Sequence, residues 1–225
     1  MTEIGFAFDS MGVHKGGLPP VLPWQEAGRE MGHFTVARWD NEQTDWASRR
    51  LGGEGTGQRG FIPPNDVMFR QLKINPYSVT TSDPRDHNII VVGGWQRILS
   101  LVIGGGGQAW DSTHTRIGVG TATSATATGQ TDLAATGTGR WFNMCTGVGI
   151  TGAGTGGSST CRLSFTSTFA TADANFPWQE WGIDQGTVGS GTGAVVPVLL
   201  NRAVSAQSTK NQGMTWTATA NLDFA

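Results

Sequence analysis

Cysteine is scarce: the 225-residue chain has two, Cys145 and Cys161, too few for a disulfide framework or a four-cysteine zinc site. Charge is scarce as well. Charged residues make up 14% of the chain, the net charge is −2, and no basic run exceeds Arg49-Arg50. The electrostatic footprint of a nucleic-acid binder is missing, so neither DNA nor RNA is expected as a partner. No stretch reaches about 18 apolar residues, the length a membrane helix needs. Met1 to Ile4 lacks the basic and apolar segments of a secretion signal, so neither membrane insertion nor export is expected. The four histidines, His14, His33, His87 and His114, show no H-x-x-x-H or H-E-x-x-H spacing, and a metal site lacks its usual local scaffold. No metal and no cofactor is expected.

Glycine is plentiful, at 34 residues, and Thr, Ser and Ala crowd the second half. This mixture favours turns and strands over long helices. Hydrophobic residues reach only 37%, but nine Trp and ten Phe are among them. Each aromatic can bury about 150–250 Å², enough for a thin sandwich to close around a few of them.

Two regions differ in pattern. In residues 1–85, Gly16-Gly17, Pro19-Pro20, Pro23, Gly52-Gly53, Pro63-Pro64 and Pro76 interrupt every candidate element. One short helix is expected near 41–51, where Asp40 can cap, Gln43 sits three residues on, Trp46 and Ala47 give a small apolar face, and Gly52 stops the run. The region keeps Phe6, Phe8, Trp24, Phe34, Trp39, Trp46, Phe61 and Phe69, too aromatic for an ordinary disordered tail. It reads as an extended arm that buries its aromatics on neighbouring subunits or along the outside of the following domain.

From about Asp86 to Ala225 the pattern is that of a domain. Ile89 to Val92 reads as a buried strand, Gly93-Gly94 as a tight turn, and Trp95, Ile98, Leu99 and Val102 as one face of a short helix covering the sandwich. Beyond it the period becomes two. Ile117 and Val119 alternate with Gly, Cys161, Leu163, Phe165 and Phe169 with polar residues, and Trp216 to Phe224 with Thr, Asn and Asp. Val195 to Val204 adds an apolar run with Pro197 at an edge or bulge. The fold class implied is all-β, an antiparallel, jelly-roll-like β-sandwich with a short helix and an extended N-terminal arm.

Motifs for chemistry are weak. G-x-G-x-x-G occurs at Gly147, Gly149 and Gly152 and again at Gly152, Gly154 and Gly157. Glycine frequency alone makes such a pattern expected about once in this chain, and a period-two run follows it rather than a helix. Gly189-Ser190-Gly191 is the nearest approach to a nucleophile elbow and reads as linker. Glu180 and Asp184 lie beside Phe176, Trp178 and Trp181, and sugar sites combine carboxylates with flat aromatic faces. Closely spaced aromatics around a turn more often plug the end of a sandwich, so Trp110, Trp178 and Trp181 stand as candidates for packing or for glycan contact. The catalytic reading requires Glu180 to face another carboxylate across an open cleft about 5–9.5 Å wide. No catalytic residue is assigned.

The cysteines carry a geometric expectation. Gly152 to Gly157 is the natural reversal point, and the midpoint of Cys145 and Cys161 falls at 153, so a hairpin turning there sets the two thiols nearly opposite, as a candidate pair.

Three stretches carry a resemblance. Arg116-Ile-Gly-Val-Gly-Thr-Ala-Thr to Leu133, Phe176-Pro-Trp-Gln-Glu-Trp-Gly-Ile183, and Leu200-Asn-Arg-Ala-Val204 with Lys210 and Thr215-Trp-Thr217 resemble, in order and spacing, a group of tailed-bacteriophage virion structural proteins. Asn88 to Trp95 looks like the asparagine-led strand and helix that opens their domain. The resemblance covers about residues 86–225. It implies a capsid decoration, neck or tail β-sandwich, assembled in the host cytoplasm and located in the virion. The implied partners are other virion proteins (capsid, neck or tail subunits) and copies of itself, and no catalytic residue is implied. In that cytosol the cysteines are expected as free thiols, able to oxidise after release. The rival expectation is a carbohydrate-binding adsorption module that touches a host glycan through Trp110, Trp178 or Trp181.

Overall fold

The computed structural model describes residues 33–52, 64–82, 88–151, 161–186, 189–192 and 198–224. Among these, ten strands form two five-stranded antiparallel sheets. In chain order the elements are β1 (His33–Trp39), α1 (Asn41–Gly52), α2 (Asp66–Gln71), β2 (Ser78–Thr81), β3 (Ile89–Ile90), α3 (Val92–Val102), β4 (Thr115–Gly120), β5 (Arg140–Met144), β6 (Gly147–Thr151), β7 (Cys161–Phe169), β8 (Pro177–Gln185), β9 (Val198–Thr209) and β10 (Thr215–Phe224). Sheet A has the order β2-β1-β10-β7-β6, and sheet B the order β3-β9-β8-β4-β5. The all-β sandwich expected from the alternation is the observed architecture.

The dry faces of the two sheets make one core. Sheet A contributes Phe34, Val36, Phe165, Phe169, Trp216, Ala218, Ala220 and Leu222, and sheet B contributes Ile117, Val119, Trp178, Trp181, Ile183, Leu200 and Ala203. Phe34 stacks on Trp181 with centroids 4.6 Å apart and planes 8° off parallel. Trp178 meets Phe169 and Trp216 edge-on at 4.7 and 4.8 Å. In a regular strand, residues three apart face opposite sides, yet Trp178 and Trp181 both reach the core. The reason is a register shift between Trp178 and Glu180, a bulge that re-aims one side chain.

The sandwich also takes in β1 and β2, which a division at residue 86 leaves to the arm. β1 pairs with β10 from His33↔Asn221 to Trp39↔Thr215, and Phe34 lies in the main core. The physical reason is in the sequence: HFTVARW is itself a period-two run, overshadowed by the Gly and Pro around it. Helix α1 forms where the capping pattern places it. Asp40 Oδ1 accepts from the Gln43 amide at 2.8 Å, and Gln43 Oε1 accepts from the Asp40 amide at 3.3 Å, a reciprocal capping box. Its Ala47 is buried and its Trp46 exposed. Helix α2 is capped likewise by Asn65, whose Oδ1 accepts from the Met68 amide. A satellite core joins the two helices to sheet A: Trp39 stacks on Phe69 at 4.4 Å, with Ala47 beside them. Phe6, Phe8, Trp24 and Phe61 lie outside the described residues.

Helix α3 is present, but it is turned differently from the expectation. It starts at Val92, so Gly93 and Gly94 belong to its first turn and make no tight turn before it. Gly94 rests directly on the Leu200 backbone of β9, where an added Cβ would collide. Arg97 Nη1 reaches across to Gln185 Oε1 at 2.6 Å and the Gln108 carbonyl at 3.2 Å. These contacts set the helix rotation. Of the four residues expected to cover the sandwich, Ile98 packs against the core, while Trp95, Leu99 and Val102 point away and are exposed.

Candidate interaction surface

Among the described residues, the outer side of sheet B carries a dense network of buried charges. Arg116 on β4 grips Asp184 on β8 with both arms of its fork, Nε to Oδ1 at 2.9 Å and Nη2 to Oδ2 at 2.5 Å. Arg202 on β9 donates through Nε to Glu180 Oε2 at 2.5 Å. All four side chains are buried. The segment 121–136 lies as a roof over the Arg202–Glu180 pair, while Arg116 packs under Gly186, the Gly189 carbonyl and the Phe142 ring. Glu180 accepts from the Ala135 and Ala134 amides at 2.7 and 3.0 Å. Arg202 donates to the Ser124 and Ala125 carbonyls and to Gln130 Oε1. Arg140 ties the end of the roof down through Asp132 at 2.7 Å.

The glycines of Ile117-Gly-Val-Gly120 find their purpose here. Ile117 and Val119 face the core, and Gly118 and Gly120 face the roof. A Cβ on Gly118 would collide with the Phe142 ring and approach Leu133, and one on Gly120 would press on Glu180 and Ala135. Alternation with glycine therefore marks a face roofed at close range. Alternation with threonine, as on β10, marks a face nearer to water.

The candidate glycan aromatics are placed by packing. Trp178 and Trp181 are both 1% exposed, and Trp178 Nε1 donates to the Ala174 carbonyl. Trp110 is half-buried against the same core. Glu180 and Asp184 do not face an open cleft; each is buried and held by its own arginine. Burial pushes the Asp184 carboxyl above its ordinary value, and the Arg116 fork pulls against that shift.

The cysteines are not opposed, which corrects the expectation. β6 and β7 do form a hairpin, but Gly147 pairs with Thr166 and Thr151 with Arg162, so it reverses farther along the chain than residue 153. Thr166 stands five residues from Cys161, roughly 16 Å at about 3.3 Å per residue, and Cys145 lies beyond Gly147 on the far side. The expected Gly152–Gly157 turn falls outside the described residues. Both thiols are free. Cys145 is buried, and burial, with the Asp184 carboxylate second, pushes its thiol up to about 12.

One polar pair has no motif to mark it in the sequence. His114 Nδ1 lies 2.8 Å from Asp111 Oδ1 on the loop before β4. Hydrogen bonds from Thr113 and then His114 draw the Asp111 carboxyl down to about 2. The sequence signal, Asp-x-x-His, is too short to single out. His33 lies 3.6 Å from Asp223, and His14 and His87 are outside the described residues. Among the described residues there is no group of three His, Cys, Asp or Glu side chains arranged to hold a metal, and no helix long and apolar enough to cross a membrane. A pocket of about 320 Å³ lies beside α3, lined by Gln96, Arg97, Ser100, Gln130, Thr131 and Leu199. Its lining offers no carboxylate and no thiol, and its single charge, Arg97, already has partners.

Among the described residues, the outward side of α3 is an exposed apolar surface. Val92, Trp95, Leu99, Val102 and the following Ile103 form an apolar stripe, with Leu99 57%, Val102 77% and Ile103 80% exposed. The helix ends on Gly104, in the left-handed region at φ 70°, with Gly105 donating to the Ser100 carbonyl at 2.8 Å. This glycine cap holds Ile103 at the end of the stripe. Comparison of the chain with protein families, curated proteins and solved structures finds no match.

Proposed function

We propose that this chain is a structural component of a tailed-phage virion, a surface β-sandwich of the capsid decoration, neck or tail that binds neighbouring subunits. The observation that carries the reading is the α3 stripe. A helix fixed to a sheet by Gly94 and Arg97 while Trp95, Leu99 and Val102 face outward is arranged to meet another protein surface. The resemblance of residues 116–133, 176–183 and 200–217 to stretches of virion proteins supports the same reading. So do the buried charges of the described residues, which are engaged within the chain: Arg116 with Asp184, Arg202 with Glu180, and Lys210 with Ala170 and Asn175. In a particle, many copies multiply a weak contact through effective concentration.

Adsorption through a host glycan gains nothing from Trp178 and Trp181, which lie in the core. The test is to purify particles from the host that makes this chain and to locate it in a whole-particle density map. Ten-stranded sandwiches repeating on the capsid, neck or tail are expected. Particles that lack the chain would overturn the proposal, and binding on a glycan array would favour the rival.

A further inference from the structure

We infer that α3 is a self-association face: a second copy of this chain packs its own α3 antiparallel against the first, about a two-fold axis near Leu99. The inference rests on reading α3 as a contact surface and is independent of any place in a particle. Three observations favour a second copy over an unrelated partner.

Spacing is the first. Val92, Trp95, Leu99 and Val102 follow one another by three, four and three residues, the seam with which one helix packs along another. Leu99 stands near the middle of the stripe, so a two-fold axis there sets it against its own counterpart and brings each Trp95 toward the partner's last turn. An isologous contact needs a patch complementary to itself, and an apolar seam with a central leucine meets that condition.

Charge is the second. The only charged residue between Val92 and Val102 is Arg97, and it is turned toward Gln185 and Gln108 on the other side of the helix. Two copies of a charged face would repel each other, whereas this face carries nothing to repel its twin.

Area is the third. The five residues expose on the order of 500 Å² of apolar surface, at the upper end of what a monomer carries. Pairing two such patches removes about twice that. With Gln96 and the loop after Gly104 at the rim, the total approaches the roughly 1,200 Å² at which specific interfaces begin. Trp95 supplies the kind of aromatic anchor that dominates such contacts. The backbone of α3 is already held by Gly94 and Arg97, so pairing orders side chains only.

The full chain is examined by sedimentation velocity and light scattering between about 1 and 100 µM, a range that brackets a contact of this size. A dimer is expected. Leu99→Glu should make it a monomer with unchanged circular dichroism, and Val102→Gln serves if Leu99→Glu does not fold. Ile150→Glu, an exposed apolar residue on the edge strand β6, should leave the dimer intact. Leu99→Cys should give a covalent dimer on mild oxidation where the wild type gives none. A wild-type monomer at the highest concentration, a folded Leu99→Glu or Val102→Gln protein that stays dimeric, or a Leu99→Cys protein that does not link would overturn the inference. A monomer found in particles would sink it and leave the virion reading standing; a dimer absent from particles would do the reverse.

Discussion

The outer faces of the two sheets are built from similar strands and meet opposite surroundings. On sheet A the outward residues of β7 and β10 form hydroxyl pairs, Thr166 with Thr219 and Thr168 with Thr217, followed by Ser164 with Asn221 and Arg162 with Asp223. Much of that face is half-exposed. On sheet B the outward residues are Arg116, Asp184, Glu180 and Arg202, all buried, the last two beneath the segment 121–136. Both faces carry an arginine–carboxylate pair across neighbouring strands, and only the surroundings differ. Water screens the Arg162–Asp223 pair. The Arg202–Glu180 pair sits where an unmatched charge has no solvent to turn to.

The largest expected effect comes from breaking the buried pair on one side. Arg202→Met leaves Glu180 buried with its two backbone amides and no cation, at a cost of about 3–5 kcal/mol in a urea unfolding experiment. Adding Glu180→Leu to that variant should recover much of the loss. If the single variant costs under about 1 kcal/mol, the roof is not closed in solution and the contrast between the two faces collapses.

Next comes the roof contact. Gly118→Val should cost about 1–3 kcal/mol by overpacking against Phe142 and Leu133, and thermal unfolding would register it. Glycine is needed there for space, since its φ is unremarkable.

A buried cation near the turn joining the two sheets sharpens the comparison through pH. Lys210 is buried, with Nζ donating to the Ala170 carbonyl at 2.7 Å and Asn175 Oδ1 at 2.9 Å. Burial draws its amine down to about 8, against a smaller opposing pull from Asp173. Between about 8 and the ordinary lysine value near 10.4, the unfolded chain then holds the proton that the folded chain has released. Stability contributed by this group therefore rises with pH across that window. Lys210→Gln should flatten the rise in urea midpoint between pH 7.5 and 10, and an unchanged slope would assign the titration elsewhere.

The smallest effect belongs to sheet A. Arg162, 44% exposed beside Asp223, should cost under about 1 kcal/mol on replacement by Met. The Asp223 carboxyl is drawn below its usual range, chiefly by the Arg162 hydrogen bond, so the pair's contribution is present above about pH 4 and is lost as the pH falls further. An Arg162→Met loss as large as that of Arg202→Met would show that the open face is not open.

Much of the architecture was legible in residue order alone. Period two marks β4, β7 and β10, and the Asp40–Gln43 capping box marks α1, because each depends on neighbours a few residues apart. β1 carries the same alternation, but its surroundings of Gly and Pro hid it. The arginines of the buried pairs on sheet B were visible on otherwise apolar or glycine-rich strands, though their partners stand 68 and 22 residues away. Nothing in the local pattern pairs them.

Sequence by itself determined which residues of the regular strands β4, β7 and β10 face the core, since a side-chain period of two follows from backbone geometry. Tertiary structure decided what lies over the other face, water on much of sheet A and a roof on sheet B. It also decided the rotation of α3. Apolar spacing defines a stripe on a helix, but the closest contact of Gly94 with Leu200 and the reach of Arg97 to Gln185 chose which side meets the sheet. The separation of Cys145 from Cys161 was settled in the same way, because hairpin register follows from the paired strands, Gly147 with Thr166 and Thr151 with Arg162, rather than from the midpoint between two cysteines.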